Sequence, residues 1–203
     1  MIAIIDYDAG NIRSVEKAIL HLGEEAVITR DHDVIRKADK VVLPGVGCFG
    51  DAMERIRSYD LEEDIRYVAL EKKTPFLGIC LGLQLLFAES EETPGVKGLN
   101  LLPGKVVRIP AEEGLKIPHI GWNSLHFPKE SRLFKGLSEN SYVYFVHSYY
   151  LQAQEKELVA ATCQYGSTVM DVAVEQGNIF ATQFHPEKSS DVGLRIIQNF
   201  LSI

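Results

Sequence analysis

Pro75-Phe76-Leu77-Gly78-Ile79-Cys80-Leu81-Gly82-Leu83-Gln84-Leu85-Leu86-Phe87 is the stretch that sets the fold. Its first half is an apolar run of strand length, and its second half continues as a helix with no linker between them. Gly78 and Gly82 flank Cys80 at spacing two, Gly-x-Cys-x-Gly. That spacing marks a nucleophile elbow, a strained strand-to-helix turn beside which only glycine fits. The turn puts Cys80 at the C-terminal edge of a sheet and at a helix N-terminus, where the dipole and free N–H groups favour thiolate. A buried structural cysteine between a strand and a helix has the same local pattern. The far end of the chain separates the two readings.

Upstream of the elbow, residues 2–5 form an unbroken apolar run, the mark of a central strand covered on both faces. Tyr7-Asp8-Ala9-Gly10-Asn11 reads as a loop. Ile12, Val15, Ala18, Ile19 and Leu22 then recur at helical spacing up to Gly23. Residues 26–28 and 40–43 supply two more strands, and Pro44-Gly45-Val46-Gly47-Cys48-Phe49-Gly50 follows the second directly. A helical stretch over 51–72 is predicted to break near Ser58-Tyr59-Asp60. Strands alternating with helices predict an α/β fold, a doubly wound, mainly parallel sheet with helices on both faces. Ligands bind off the C-terminal strand ends of such sheets, so the loops at 7–11, 44–50 and 80–82 are expected on one rim.

After about Gly95 the texture changes to short strands at 105–109, 142–146, 158–162, 169–174 and 179–183. Gly177-Asn178 suits a hairpin turn, so the second half reads as an antiparallel β extension. Residues 191–200 close the chain as an amphipathic helix. No repeat or linker interrupts the 203 residues, which read as one domain.

A net charge of −7 argues against a nucleic-acid surface, which needs clustered Lys and Arg. No apolar run reaches the ~20 residues of a membrane span, and the N-terminus lacks the basic start of a signal peptide. Cys48, Cys80 and Cys163 cannot all pair within one chain, which fits a reducing, cytosolic setting. Cys48 reads as loop packing and Cys163 as core. His21, His32, His119 and His126 show no metal-ligand spacing, so neither a metal nor a cofactor is expected.

Gln183-Phe184-His185-Pro186-Glu187-Lys188-Ser189 follows a β-branched strand and therefore falls on the predicted rim. A cysteine hydrolase needs a base for the thiol proton and an acceptor that orients the base. His185 and Glu187 are two apart, and in extended backbone their side chains project the same way. Pro186 biases the residue before it towards extended conformation. Glu187 is thus expected to hold the imidazole while His185 faces Cys80.

Together, Gly-Ile-Cys-Leu-Gly-Leu-Gln and Gln-Phe-His-Pro-Glu-Lys-Ser resemble the class I, or triad, glutamine amidotransferases. These hydrolyse the side-chain amide of glutamine through a cysteinyl thioester and pass ammonia to a synthase site. Tyr7 to Asn11, Pro44 to Gly50 and Pro118-His119-Ile120-Gly121-Trp122-Asn123 look like the glutaminase subunits of imidazole glycerol phosphate synthases. The resemblance covers the whole chain, and the Gly-Trp-Asn block separates these subunits from sister families.

That resemblance implies roles for named residues. Leu81 N–H, directly after the nucleophile, and Val46 N–H, either preformed or after a peptide flip, are the expected oxyanion donors. On residues alone, Pro-Gly-Val-Gly also suits a plain turn. Gly45, Gly47, Gln84, Glu92, Ser148 and Tyr149 are expected to cradle glutamine, Ser148 and Tyr149 mainly through backbone; many relatives carry threonine where Ser148 stands. His147 borders this cradle. Asn11, Ile120, Trp122, Asn123 and Lys188 are expected to face a (β/α)₈-barrel cyclase in a heterodimer. Trp122 alone suits either core or an interface anchor, and Lys188 either an intersubunit salt bridge or solvent. The open alternatives are a glutaminase serving another synthase and a catalytically silent scaffold.

Overall fold

The computed structural model describes residues 1–203. β1 (Ile2–Ile5) lies between β2 (Ala26–Thr29) and β3 (Lys40–Gly45), β4 (Phe76–Cys80) lies beside β3, and β11 (Ile179–Thr182) lies beside β4. All of these pairs are parallel. β10 (Thr168–Gln176), β8 (Tyr149–Ala153) and β5 (Gly104–Arg108) continue the sheet antiparallel, and β9 (Val159–Tyr165) also pairs with β10. The parallel half, the antiparallel extension and the doubly wound character are as the sequence predicts.

Both faces of the sheet are covered. α1 (Ile12–His21) and α6 (Ser190–Leu201) bring Val15, Ile19, Ile196 and Phe200 against Ile2, Ile4, Leu77 and Ile79. α2 (His32–Lys37), α3 (Phe49–Ser58) and α4 (Leu61–Arg66) bury Ile35, Met53, Ile56 and Ile65 against Ala3, Ile5, Val41 and Leu43 on the other face. Strands buried on both sides have no face left for polar residues, which is why β1 and β4 read as unbroken apolar runs. Asp60, at φ 55, makes the expected break between α3 and α4. No helix is long and apolar enough to cross a membrane.

Three local departures have physical reasons. The elbow helix, α5 (Leu81–Leu85), stops before its apolar run does. The chain at 98–101 claims the carbonyls that would continue it: Leu99 N–H donates to Leu85 O at 2.9 Å, Leu101 to Leu86 O at 2.7 Å and Gly98 to Ala88 O at 2.9 Å. β6 (His119–Ser124), which pairs with β7 (Tyr142–His147) as a separate antiparallel ribbon, was not legible as a strand. Its alternation is inverted, with polar His119 buried while Ile120 and Trp122 are 60% and 50% exposed. β8 was also missed, because Ser148 and Tyr149 follow β7 without a turn signal.

Candidate active site

Cys80 sits at φ 56, ψ −109, a conformation that L-residues avoid and that costs about 1–3 kcal/mol. Close packing holds it there. A Cβ on Gly78 would stand 2.8 Å from Gly82 O, and one on Gly82 would stand 1.8 Å from Leu43 O. Both glycines are therefore fixed by the approach of α5 to the sheet, not by flexibility. β3 meets β4 in register up to Gly45 opposite Cys80, so the loop after β3 leaves the sheet beside Cys80.

β11 pairs with β4 from the other side, with Thr182 opposite Ile79, and so Gln183 to His185 emerge beside Cys80. The expected extended backbone at Glu187 is not present. Pro186–Lys188 is a 3₁₀ turn, closed by Lys188 N–H to His185 O and Ser189 N–H to Pro186 O, both 3.0 Å. The tight seat of α6 selects the turn: a Cβ on Gly193 would lie 1.8 Å from Pro186 O, and Ser189 Oγ donates to His185 O at 2.6 Å. The pairing survives the change of backbone. His185 Nδ1 donates to Glu187 Oε1 at 2.7 Å, with the two side chains 1% and 0% exposed.

His185 Nε2 and Glu187 Oε2 are buried without a hydrogen-bond partner. An orphaned buried nitrogen is costly unless chemistry needs it. Burial pulls the imidazole pKa down, but the nearby Cys80 sulfur and the hydrogen bond and charge of Glu187 outweigh it and push it up to about 9. The ring therefore holds its proton at neutral pH. The arrangement supplies a sulfur nucleophile, a proton carrier and a carboxylate that orients the carrier.

Glu187 is itself held from behind. Asn11, expected at a partner face, is half-buried and donates from Nδ2 to Glu187 Oε1 at 2.5 Å. It occupies the N-cap position of α1 at φ 66, yet its side chain makes no cap hydrogen bond. A cap contribution of about 1 kcal/mol is given up to orient the carboxylate. Two neighbours in the same loop touch the opposite side of the site. Tyr7 Oη donates to Pro44 O at 2.8 Å, and a Cβ on Gly10 would stand 2.7 Å from Val46 Cγ2.

A cleft of about 330 Å³ opens between Cys80 and Leu81 on one side and His147, Ser148 and Tyr149 on the other, with Val46, Gly47 and Glu92 along its rim. Gly45 does not line it; a Cβ there would stand 2.2 Å from Tyr7 Oη, so it shapes the loop from beneath. Gln84 is buried, and Nε2 donates both hydrogens, to Tyr149 O and to Gln183 Oε1, each at 3.0 Å. Gln183 Nε2 in turn donates to Cys80 Sγ at 3.7 Å. Glu92 Oε2 accepts from Phe49 N–H at 2.8 Å, so this carboxylate caps α3 from across the chain. Sequence reasoning assigned Gln183 no role; its signal was a buried-strand exit, an amide directly after Ile179–Thr182 and before the His-Pro-Glu turn. On the ribbon, Ile120 and Trp122 project into solvent, Asn123 is half-buried, and Lys188 is exposed beside Glu187.

The model of the class-I glutamine amidotransferase family matches residues 3–203, and the chain belongs to that family of glutamine-hydrolysing enzymes. Among known proteins it is 51% identical to the imidazole glycerol phosphate synthase subunit HisH of Syntrophotalea carbinolica, over 98% of each chain. It is 50% identical to HisH of Methanothermobacter thermautotrophicus, over 100% of this chain and 98% of that one. It stands with the HisH subunits, and is a glutaminase that feeds imidazole glycerol phosphate synthase in histidine biosynthesis. The fold is shared more widely: a solved glutamine amidotransferase superposes with a TM-score of 0.77 at 23% identity, covering 100% of this chain and 98% of its own.

Proposed function

We propose that Cys80, His185 and Glu187 form the catalytic triad of this glutaminase, and that its ammonia passes to a (β/α)₈-barrel cyclase in a cytosolic heterodimer. The observation that carries the triad is the buried His185–Glu187 pair at 2.7 Å, whose ring leaves Nε2 free beside the elbow cysteine. The sulfur attacks the side-chain carbonyl carbon of glutamine, and the C=O electron pair moves to oxygen. The N–H groups of Leu81 and Val46 stabilise that oxyanion. When the C–N bond breaks, the nitrogen takes the proton from His185 Nε2 and leaves as ammonia, and a thioester remains on Cys80. His185 then takes a proton from water, hydroxide adds to the thioester, and the sulfur departs to give glutamate.

The rest of the cleft orients the substrate. With both Nε2 hydrogens engaged, Gln84 has only Oε1 to offer, an acceptor that suits the α-ammonium group of glutamine. Glu92 adds negative charge on the same rim, and Ser148 and Tyr149 add backbone groups, while Gly45 and Gly47 let the loop approach. Exposed Ile120 and Trp122 support a docking face on the ribbon, flanked by Asn123 and Lys188, with Asn11 linking that side to Glu187. The three free cysteines fit a reducing compartment.

The test is a glutaminase assay of the purified chain with and without a purified imidazole glycerol phosphate cyclase subunit and its ligand. Val46, the second proposed donor, is on an exposed glycine-rich loop that a partner can reorient, so the isolated chain is expected to be slow and the mixture fast. Cys80→Ala is expected to remove at least about 10⁴-fold of the glutamine-dependent rate while ammonia-dependent synthesis by the partner continues. Loss of both activities in an assembled complex, or a rise only with another synthase, would overturn the assignment.

A further inference from the structure

The motif that the triad leaves unexplained is the histidine of Pro118-His119-Ile120-Gly121-Trp122-Asn123. His119 is the inward residue of β6 and is 3% exposed, stacked between Phe145 at 4.7 Å and Tyr165 at 4.0 Å between ring centroids. A buried imidazole needs partners for both nitrogens, and here the partners fix every proton.

The assignment starts at the cleft. His147 Nδ1 is 2.9 Å from Tyr149 O. A carbonyl only accepts, so Nδ1 carries the hydrogen and, in a neutral ring, Nε2 is bare. His119 Nδ1 is 3.1 Å from that bare Nε2, so His119 Nδ1 must donate, which leaves His119 Nε2 bare as well. Asn123 Nδ2, at 3.4 Å, supplies the donor it needs. The Asn123 amide cannot be turned round, because its Oδ1 accepts from Ser124 N–H at 2.8 Å and its Nδ2 also donates to Gln164 O at 2.9 Å. Burial holds both rings neutral, pushing His119 down to about 4 and His147 to about 3.

At the far end, Tyr149 O accepts from both His147 Nδ1 and Gln84 Nε2, and Gln84 leads through Gln183 to Cys80 Sγ. One donor-to-acceptor chain therefore runs from Asn123, beside the exposed Trp122, to the carbonyl that fixes the Gln84 amide. Reversing any link leaves two donors or two acceptors facing each other.

We infer that His119 and His147 are positioning residues for glutamine, a proton-ordered pair that ties partner-facing strand β6 to the Tyr149–Gln84 wall of the cleft. The inference rests on the glutaminase reading above. It gives the ribbon two jobs: apolar side chains outward for a partner, and an imidazole inward that, through His147, holds the Tyr149 carbonyl on which the Gln84 amide rests.

His119→Phe keeps an aromatic ring in the stack while deleting the donor, and His119→Asn restores an N–H near the Nδ1 position. In the complex with the cyclase, His119→Phe is expected to raise the KM for glutamine about tenfold, since one buried hydrogen bond is left unmade, with kcat nearly unchanged. His119→Asn is expected to recover most of it. Nitrogen-15 spectra of the wild type are expected to place both rings in the neutral Nδ1–H tautomer at pH 7. An unchanged KM in a folded His119→Phe, no rescue by His119→Asn, or an Nε2–H tautomer in either ring would overturn the pair. A wild-type complex that turns over no glutamine would instead sink the glutaminase reading, and this inference with it.

Discussion

The elbow rim and the β6–β7 ribbon border the same cleft and are held in opposite ways. At the rim, Cys80 lies between two parallel partners, and Gly82 leaves no room for a methyl group above Leu43 O. The ribbon is a two-stranded sheet of its own. Named links to the site are Tyr144, which accepts from His185 N–H at 3.0 Å while its own N–H donates to Ser189 Oγ at 3.0 Å, and the histidine pair. Chemistry that depends on a strained turn is built into the centre of the sheet, where packing is dense and neighbours cannot relax. The proposed docking surface is built on a two-stranded ribbon outside the main sheet, where small shifts cost less.

Substituting glycine in each region is the sharpest way to break this contrast. Gly82→Ala drives a Cβ into Leu43 O at 1.8 Å and is expected to cost about 3 kcal/mol or more. Gly121→Ala on the ribbon meets nothing within 4 Å, and only its φ of +130 opposes it, so a loss nearer 1 kcal/mol is expected. Urea unfolding of the two variants measures both; equal losses would mean that the rim is no stiffer than the ribbon. Next in size is Trp122→Ala. Losing a large exposed aromatic at an interface is expected to weaken cyclase binding about 30-fold, with the melting temperature of the free chain nearly unchanged. A large drop in that temperature with intact binding would move Trp122 from docking face to fold.

The smallest effect expected is in pH dependence. His119 and His147 are depressed from 6.5 to about 4 and about 3 by burial, so between those values and 6.5 the unfolded chain binds more protons. Stability then falls as pH drops through that window. His185 is the charged neighbour of His147 and works the other way: raised to about 9, it stabilises the fold fully below 6.5 and loses that contribution as pH rises through about 9. The double variant His119→Asn, His147→Asn is expected to flatten the fall in melting temperature between pH 6.5 and 4. An unchanged slope would show that acid sensitivity lies elsewhere.

Legibility in the sequence followed the same division. Cys80, Gly78 and Gly82 declared the elbow because the constraint there is steric and local, written as residue type at fixed spacing. The parallel, doubly covered sheet was legible from apolar runs that only burial on both faces produces; its strand order was not, because nothing in the runs says which neighbours pair. His185 and Glu187 were found as a pair, although the backbone that joins them is a 3₁₀ turn instead of an extended segment, because seating by Gly193 and Ser189 is invisible in sequence. β6 hid behind its inverted alternation. Gln183 and the second role of Asn11 were hidden because each depends on a partner more than 100 residues away.

The loop from Tyr7 to Asn11 touches Pro44, Val46 and Glu187 through three of its five residues. For anyone grafting the proposed catalytic centre onto another scaffold, that loop is no ornament. It is a shared mounting for the loop beside the nucleophile and for the carboxylate behind the imidazole. A transplant that carried the elbow and the histidine turn but left residues 7–11 behind would deliver the reagents without the bracket that keeps them aligned.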